Sequence, residues 1–140
     1  MRKTKWGIFL TLFVLTAMGI TSGITTPTQY QAAVSLSQAE RDGQALFHST
    51  QLGTNGLSCD SCHVDGGRFS HRLKGQRIPS LVKAKAMFPA INPNGNVTTL
   101  GAQINQCIIH NLHGNKLSLT SRKLGLLDLY LRHLSRFHER

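Results

Sequence analysis

Acidic residues are scarce in this chain. Its 140 residues hold 6 Asp+Glu against 16 Lys+Arg, a formal net charge of +10 at pH 7 with histidine neutral. Such a balance suits docking onto an acidic redox partner or an anionic surface; solubility alone is the competing reading. The sequence has no internal repeat and no convincing strand, which leaves a helical fold. It has no nucleic-acid motif, and with the export reading below this argues against a nucleic-acid partner. Only one methionine, Met87, follows the first 35 residues, and there are 3 cysteines, an odd number.

A long hydrophobic run is also missing. Arg2, Lys3 and Lys5 precede an apolar stretch from Trp6 to about Ile20, the order of an export signal. The stretch is short for a membrane span and is interrupted by Gly7, Thr11, Thr16 and Gly19. A signal cleaved after Gly23 or Ser35 therefore ranks above an uncleaved anchor. Residues 1–35 are assigned to this signal or anchor, and residues 36–140 to one small domain. That domain is expected outside the cytoplasm, periplasmic or membrane-anchored facing the periplasm.

What is present is Cys59-Asp60-Ser61-Cys62-His63, which fits C-x-x-C-H, the attachment motif of a c-type haem. Each thiol can add to one porphyrin vinyl group, and the adjacent imidazole can bind the iron from below. The expected cofactor is one covalent haem c held by Cys59 and Cys62, with His63 as proximal ligand. A thioredoxin-like redox pair would need strands between helices. A structural zinc site would need four ligands, and Cys107 with a distant histidine makes an irregular set.

The surrounding pattern is helical. Ser37 and Glu40 form a capping box that opens a helix running to about His48. Gly43 lies inside it, where close approach by another helix would compensate for glycine's cost; Tyr130 is the expected neighbour. Pro79 is placed at the first position of a helix that Pro89 stops. Asn92 to Asn96 is a loop. Thr98 or Thr99 caps a helix ended by Gly114, with Ile104, Ile108 and Leu112 on its apolar face. A last helix starts near Thr120 or Ser121, with Leu127, Leu131 and Leu134 in one stripe and Leu124 and Tyr130 beside it. The fold class is all-α, about four to five helices around one haem. This order resembles the class I cytochrome c fold, in which the first and last helices cross near the haem.

A second axial ligand is expected for an electron-transfer haem, most often methionine. Met87 lies far ahead of the loop before the last helix and reads better as core filler. At about 100° per residue, Cys107 lies roughly 60° from Ile104, on the apolar face. His110 sits on the flank of that face and His113 faces away. Cys107 thus ranks above His110, and a buried structural thiol is the equal alternative.

Two segments carry a more specific resemblance. Ile104-Asn105-Gln106-Cys107 through Asn111-Leu112-His113-Gly114-Asn115-Lys116-Leu117 resembles the amino-terminal haem domain of thiosulfate dehydrogenases. Leu57-Ser58-Cys59 through Cys62-His63-Val64-Asp65-Gly66-Gly67 resembles the haem segment of the same family. The Sox sulfur-oxidising cytochromes are more distantly similar. The resemblance implies that Cys107 is the distal iron ligand. A thiolate stabilises Fe(III), so a low-potential, low-spin ferric haem is expected.

The relatives' chemistry holds a sulfur oxyanion with arginines, and here the sequence departs from them. Gln103 stands where the family tends to have arginine, the Pro89 to Asn96 loop has no basic residue, and His110 replaces another basic position. Arg68, Arg72, Arg77, Lys83 and Lys85 could bring charge from elsewhere. Only one haem motif is present. A monohaem electron carrier serving a redox partner protein therefore ranks first. The alternative is a thiosulfate-type oxidoreductase, or a subunit of one, acting on a small sulfur oxyanion.

Overall fold

The computed structural model describes residues 28–136, with side chains from Ser35 onward. Most of the stretch read as a signal or anchor lies outside the described residues, as does Gly23. Among the described residues no helix is long and apolar enough to cross a membrane.

Helix α1 spans Thr28–His48, so the expected start at Ser37 is corrected: the helix is already formed there and runs through Ser35. Ser37 Oγ accepts from Arg41 Nη1 at 2.7 Å instead of capping. Glu40 does not reach back either. It meets His133 Nδ1 at 2.8 Å and Arg136 on the last helix. With no orphan amide to satisfy inside a continuous helix, the carboxylate pairs across the helix crossing.

That crossing joins α1 to α4 (Arg122–Arg136), the most extensive packing between elements. Gly43 makes it possible. A Cβ there would overlap the Leu126 carbonyl oxygen and lie 2.9 Å from Tyr130 Cβ, so the expected Gly43–Tyr130 meeting is present. Leu124, Leu127, Tyr130, Leu131 and Leu134 of α4 are all buried. The Tyr130 and Phe47 rings stack tilted, 5.3 Å between centroids. Burying each such large side chain contributes about 1.5–3 kcal/mol.

The region from His71 to Thr98 differs from expectation. Two short antiparallel hairpins occur there: β1 (His71–Leu73) with β2 (Gln76–Ile78), and β3 (Ala90–Ile91) with β4 (Val97–Thr98). Lys74 and Gly75, both at positive φ, form the tight turn of the first, the geometry two-residue hairpins favour. The helix expected from Pro79 shrinks to α2, Ala84–Met87. Its first turns are replaced by a side-chain turn: Ser80 Oγ donates to the Arg68 carbonyl at 2.7 Å and accepts from Val82 N at 3.2 Å. Local hydroxyl bonding of this kind competes with helix formation.

Helix α3 spans Leu100–His110, with Thr99 as N-cap accepting from Ala102 N at 3.2 Å. Ile104, Ile108 and Leu112 are buried as expected. The helix ends before Gly114, at the Asn111 cap. Buried Asn105 then ties the following loop, bonding both the carbonyl and the amide of Leu117 at 3.0 and 2.8 Å. The architecture is thus mainly helical, four α-helices among the described residues.

Candidate haem site

Cys59 to Ser61 form a 3-10 turn directly after the loop that follows α1. Backbone bonds from Cys62 N and His63 N to the Cys59 carbonyl, 3.2 and 2.9 Å, wind the motif tightly. The Ser58 and Ser61 hydroxyls close its start. Asp60 Oδ1 then accepts from Gly66 N at 2.7 Å, and the Gly66 carbonyl accepts from Tyr130 Oη at 2.8 Å. Gly66 has φ of 64°, and a Cβ there would overlap the Tyr130 hydroxyl. The motif is therefore fastened to the last helix through one glycine.

Cys59, Cys62 and His63 open onto one cavity. The empty space between its walls, open mouth included, is about 700 Å³. Phe47 comes from α1, Leu100, Ile104 and Cys107 from α3, and Leu127 and Leu131 from α4. Leu81, ahead of α2, and Phe88, at its end, complete the lining. The walls are overwhelmingly apolar, and no Arg, Lys, Asp or Glu lines them.

The imidazole of His63 is held by its Nδ1, 3.3 Å from the Pro79 carbonyl. A carbonyl only accepts, so Nδ1 carries the proton and Nε2 is the nitrogen left with a lone pair. Burial lowers the His63 pKa; the Pro79 bond opposes this, and His71 adds to it. Burial also pushes the Cys59 thiol up to about 12, helped by the charge of Cys107. Cys107 is raised by burial too, against hydrogen bonds from the Gln103 and Asn111 side chains. Cys59, Cys62 and Cys107 all line this one cavity. An apolar slot with two thiols, a tautomer-fixed imidazole and a third sulfur fits a covalent haem in donor chemistry.

Residues 42–139 match the SoxA/TsdA cytochrome c domain. The chain belongs to that family. It is a class I c-type cytochrome resembling the haem domain of thiosulfate dehydrogenase, and a cytochrome c domain of this kind carries covalently bound haem c. Among solved structures it is similar to the thiosulfate dehydrogenase TsdBA of Marichromatium purpuratum, with a TM-score of 0.57 and 21% identity over 71% of this chain. At that identity the likeness speaks to the fold. The match spans 23% of the longer chain. No curated protein matches the sequence.

Other sequence candidates fall outside the cavity. Met87 is 58% exposed, which corrects its reading as core filler: the short α2 turns it outward. His110 and His113 are exposed and do not line the cavity. Neither do Arg68, Arg72, Arg77, Lys83 and Lys85. Gln103, singled out for its missing charge, does line it. Sequence reasoning missed Pro79 as the partner of His63, and Asn111 as a neighbour of Cys107. Asn111 was legible from its i+4 spacing to Cys107; the Pro79 contact depends on a loop closing back and had no local signal.

Proposed function

We propose that this chain is an exported monohaem electron carrier, with haem c attached through Cys59 and Cys62, His63 as proximal ligand and Cys107 as distal ligand. The observation that carries this reading is the convergence of Cys59, Cys62, His63 and Cys107 on one apolar cavity. The bound haem supplies a one-electron Fe(III)/Fe(II) couple. Pro79 holds the His63 ring and its tautomer. The apolar walls exclude water. Gln103 and Asn111 flank Cys107 at i−4 and i+4, and their side-chain amides lower its pKa against the effect of burial, which favours negative charge on the sulfur. The N-terminal charge and hydropathy pattern supports periplasmic export.

The sulfur-compound oxidoreductase reading rests on family membership. The cavity favours the carrier, because the group four residues before Cys107 is a neutral amide and no guanidinium lines the walls. A tetrahedral oxyanion is best held by bidentate arginine.

Expression with a haem-maturation system tests attachment: wild type stains for haem, and the double variant C59A/C62A does not. Electron paramagnetic resonance of ferric protein tests the axial pair. Wild type is expected low-spin with a thiolate signature, and C107A high-spin or with a replacement ligand. An unchanged spectrum in C107A excludes Cys107. Rapid haem reduction by thiosulfate alone would replace the carrier with the oxidoreductase.

A further inference from the structure

The strongest surface feature is the β1–β2 hairpin. Arg72 and Arg77 sit directly opposite each other in its register, and both are exposed. Like charges in that arrangement are destabilising, and no carboxylate relieves them. From Gly66 to Leu127 the sequence has no Asp or Glu. Among the described residues no ion pair involves Arg72, Lys74 or Arg77. Lys74 extends the charge to the tip of the turn. The inward face carries His71, Leu73 and Ile78, all partly buried, so the register holds the two arginines outward.

The hairpin is clamped at its base to the haem motif. The Ser80 hydroxyl bonds the Arg68 carbonyl at its entry, and the Pro79 carbonyl meets His63 at its exit. Beside that base Phe69 is 62% exposed and Val64 38% exposed. Exposed apolar residues, one of them aromatic, close in the chain to exposed arginines and a lysine have the composition of a protein-docking patch.

We propose that this face, Phe69 with Arg72, Lys74 and Arg77, docks an acidic one-electron carrier protein against the His63 side of the haem. This rests on the carrier function above and assigns its partner surface. Charge complementarity selects an acidic partner. The fastening of the patch to His63 selects a protein redox centre over a lipid surface, since electron exchange needs close approach to that side. One electron passes between the partner's centre and the haem, one oxidised as the other is reduced, and no atom or proton is transferred.

The test uses the haem-loaded protein with an acidic [2Fe–2S] ferredoxin as probe. Binding is followed by calorimetry and electron exchange by stopped flow. At low salt, R72Q/K74Q/R77Q is expected to weaken binding and the second-order rate by about tenfold or more, with the difference shrinking as salt rises. F69A should weaken binding with little change in salt dependence. The control K85Q/K116Q/K123Q removes the same charge elsewhere and should stay within about twofold of wild type. Equal losses in both triples, or no ferredoxin binding by wild type, overturn the proposal. So does loss of binding to phosphatidylserine vesicles with ferredoxin binding intact, which would assign the patch to a membrane surface. Reversible one-electron reduction and reoxidation of the same samples by small-molecule reagents reads the carrier function separately, because calorimetric binding does not require electron exchange.

Discussion

Replacing Gly43 with alanine tests the helix crossing on which the site depends. In an isolated helix the change stabilises by about 1 kcal/mol. Here the new methyl group would overlap the Leu126 carbonyl oxygen and stand 2.9 Å from both the Leu126 carbonyl carbon and Tyr130 Cβ. Two of those atoms are backbone, so relief requires the helices to separate. Overpacking of this kind costs about 1–3 kcal/mol. Separation also draws the Tyr130 hydroxyl from the Gly66 carbonyl, 2.8 Å away, a buried bond whose loss costs about 1–3 kcal/mol. Against the helix gain, these terms leave a loss of about 1–5 kcal/mol, with a central value of about 3 kcal/mol. For a domain of about 100 residues that lowers Tm by roughly 10–20 °C. Thermal unfolding of the haem-loaded protein, followed by far-ultraviolet circular dichroism, measures it. Gly125 provides the control: a Cβ there meets nothing within 4 Å, so G125A should raise stability by about 0.5–1 kcal/mol. A G43A protein as stable as wild type would refute close contact at this crossing.

Y130F keeps the ring stacked on Phe47 but strips the donor from the Gly66 carbonyl, and should cost about 1–2 kcal/mol in denaturant unfolding. N105A removes both bonds to Leu117 and should cost about 2–3 kcal/mol, with proteolysis increasing between Gly114 and Thr120. T99A removes the α3 cap and should cost about 1 kcal/mol. M87L and H110A lie outside the cavity and should leave the ferric haem spectrum unchanged; a shifted low-spin signal in either would place that residue at the iron.

The amino-acid sequence by itself determined the chemistry on offer and much of the helical frame. Its C-x-x-C-H run is local, so two thiols and an imidazole are close in any fold. The stripes in α3 and α4 repeat at helical spacing, and Gly43 stood out as a glycine inside a helix. The middle of the chain was less legible because its structure depends on distant partners. Ser80 turns the backbone toward Arg68, and that turn, with the Pro79 carbonyl lying against His63, replaces most of the expected helix. Glu40 followed the same logic, serving an ion pair with α4 rather than a cap. Only the tertiary structure decided that Cys107 and Gln103 line the cavity while Met87 and His110 do not. Helical phase ranks residues around one axis. Which of them meets Cys59, Cys62 and His63 depends on where α3 lies against α4 and the motif, and packing between elements sets that.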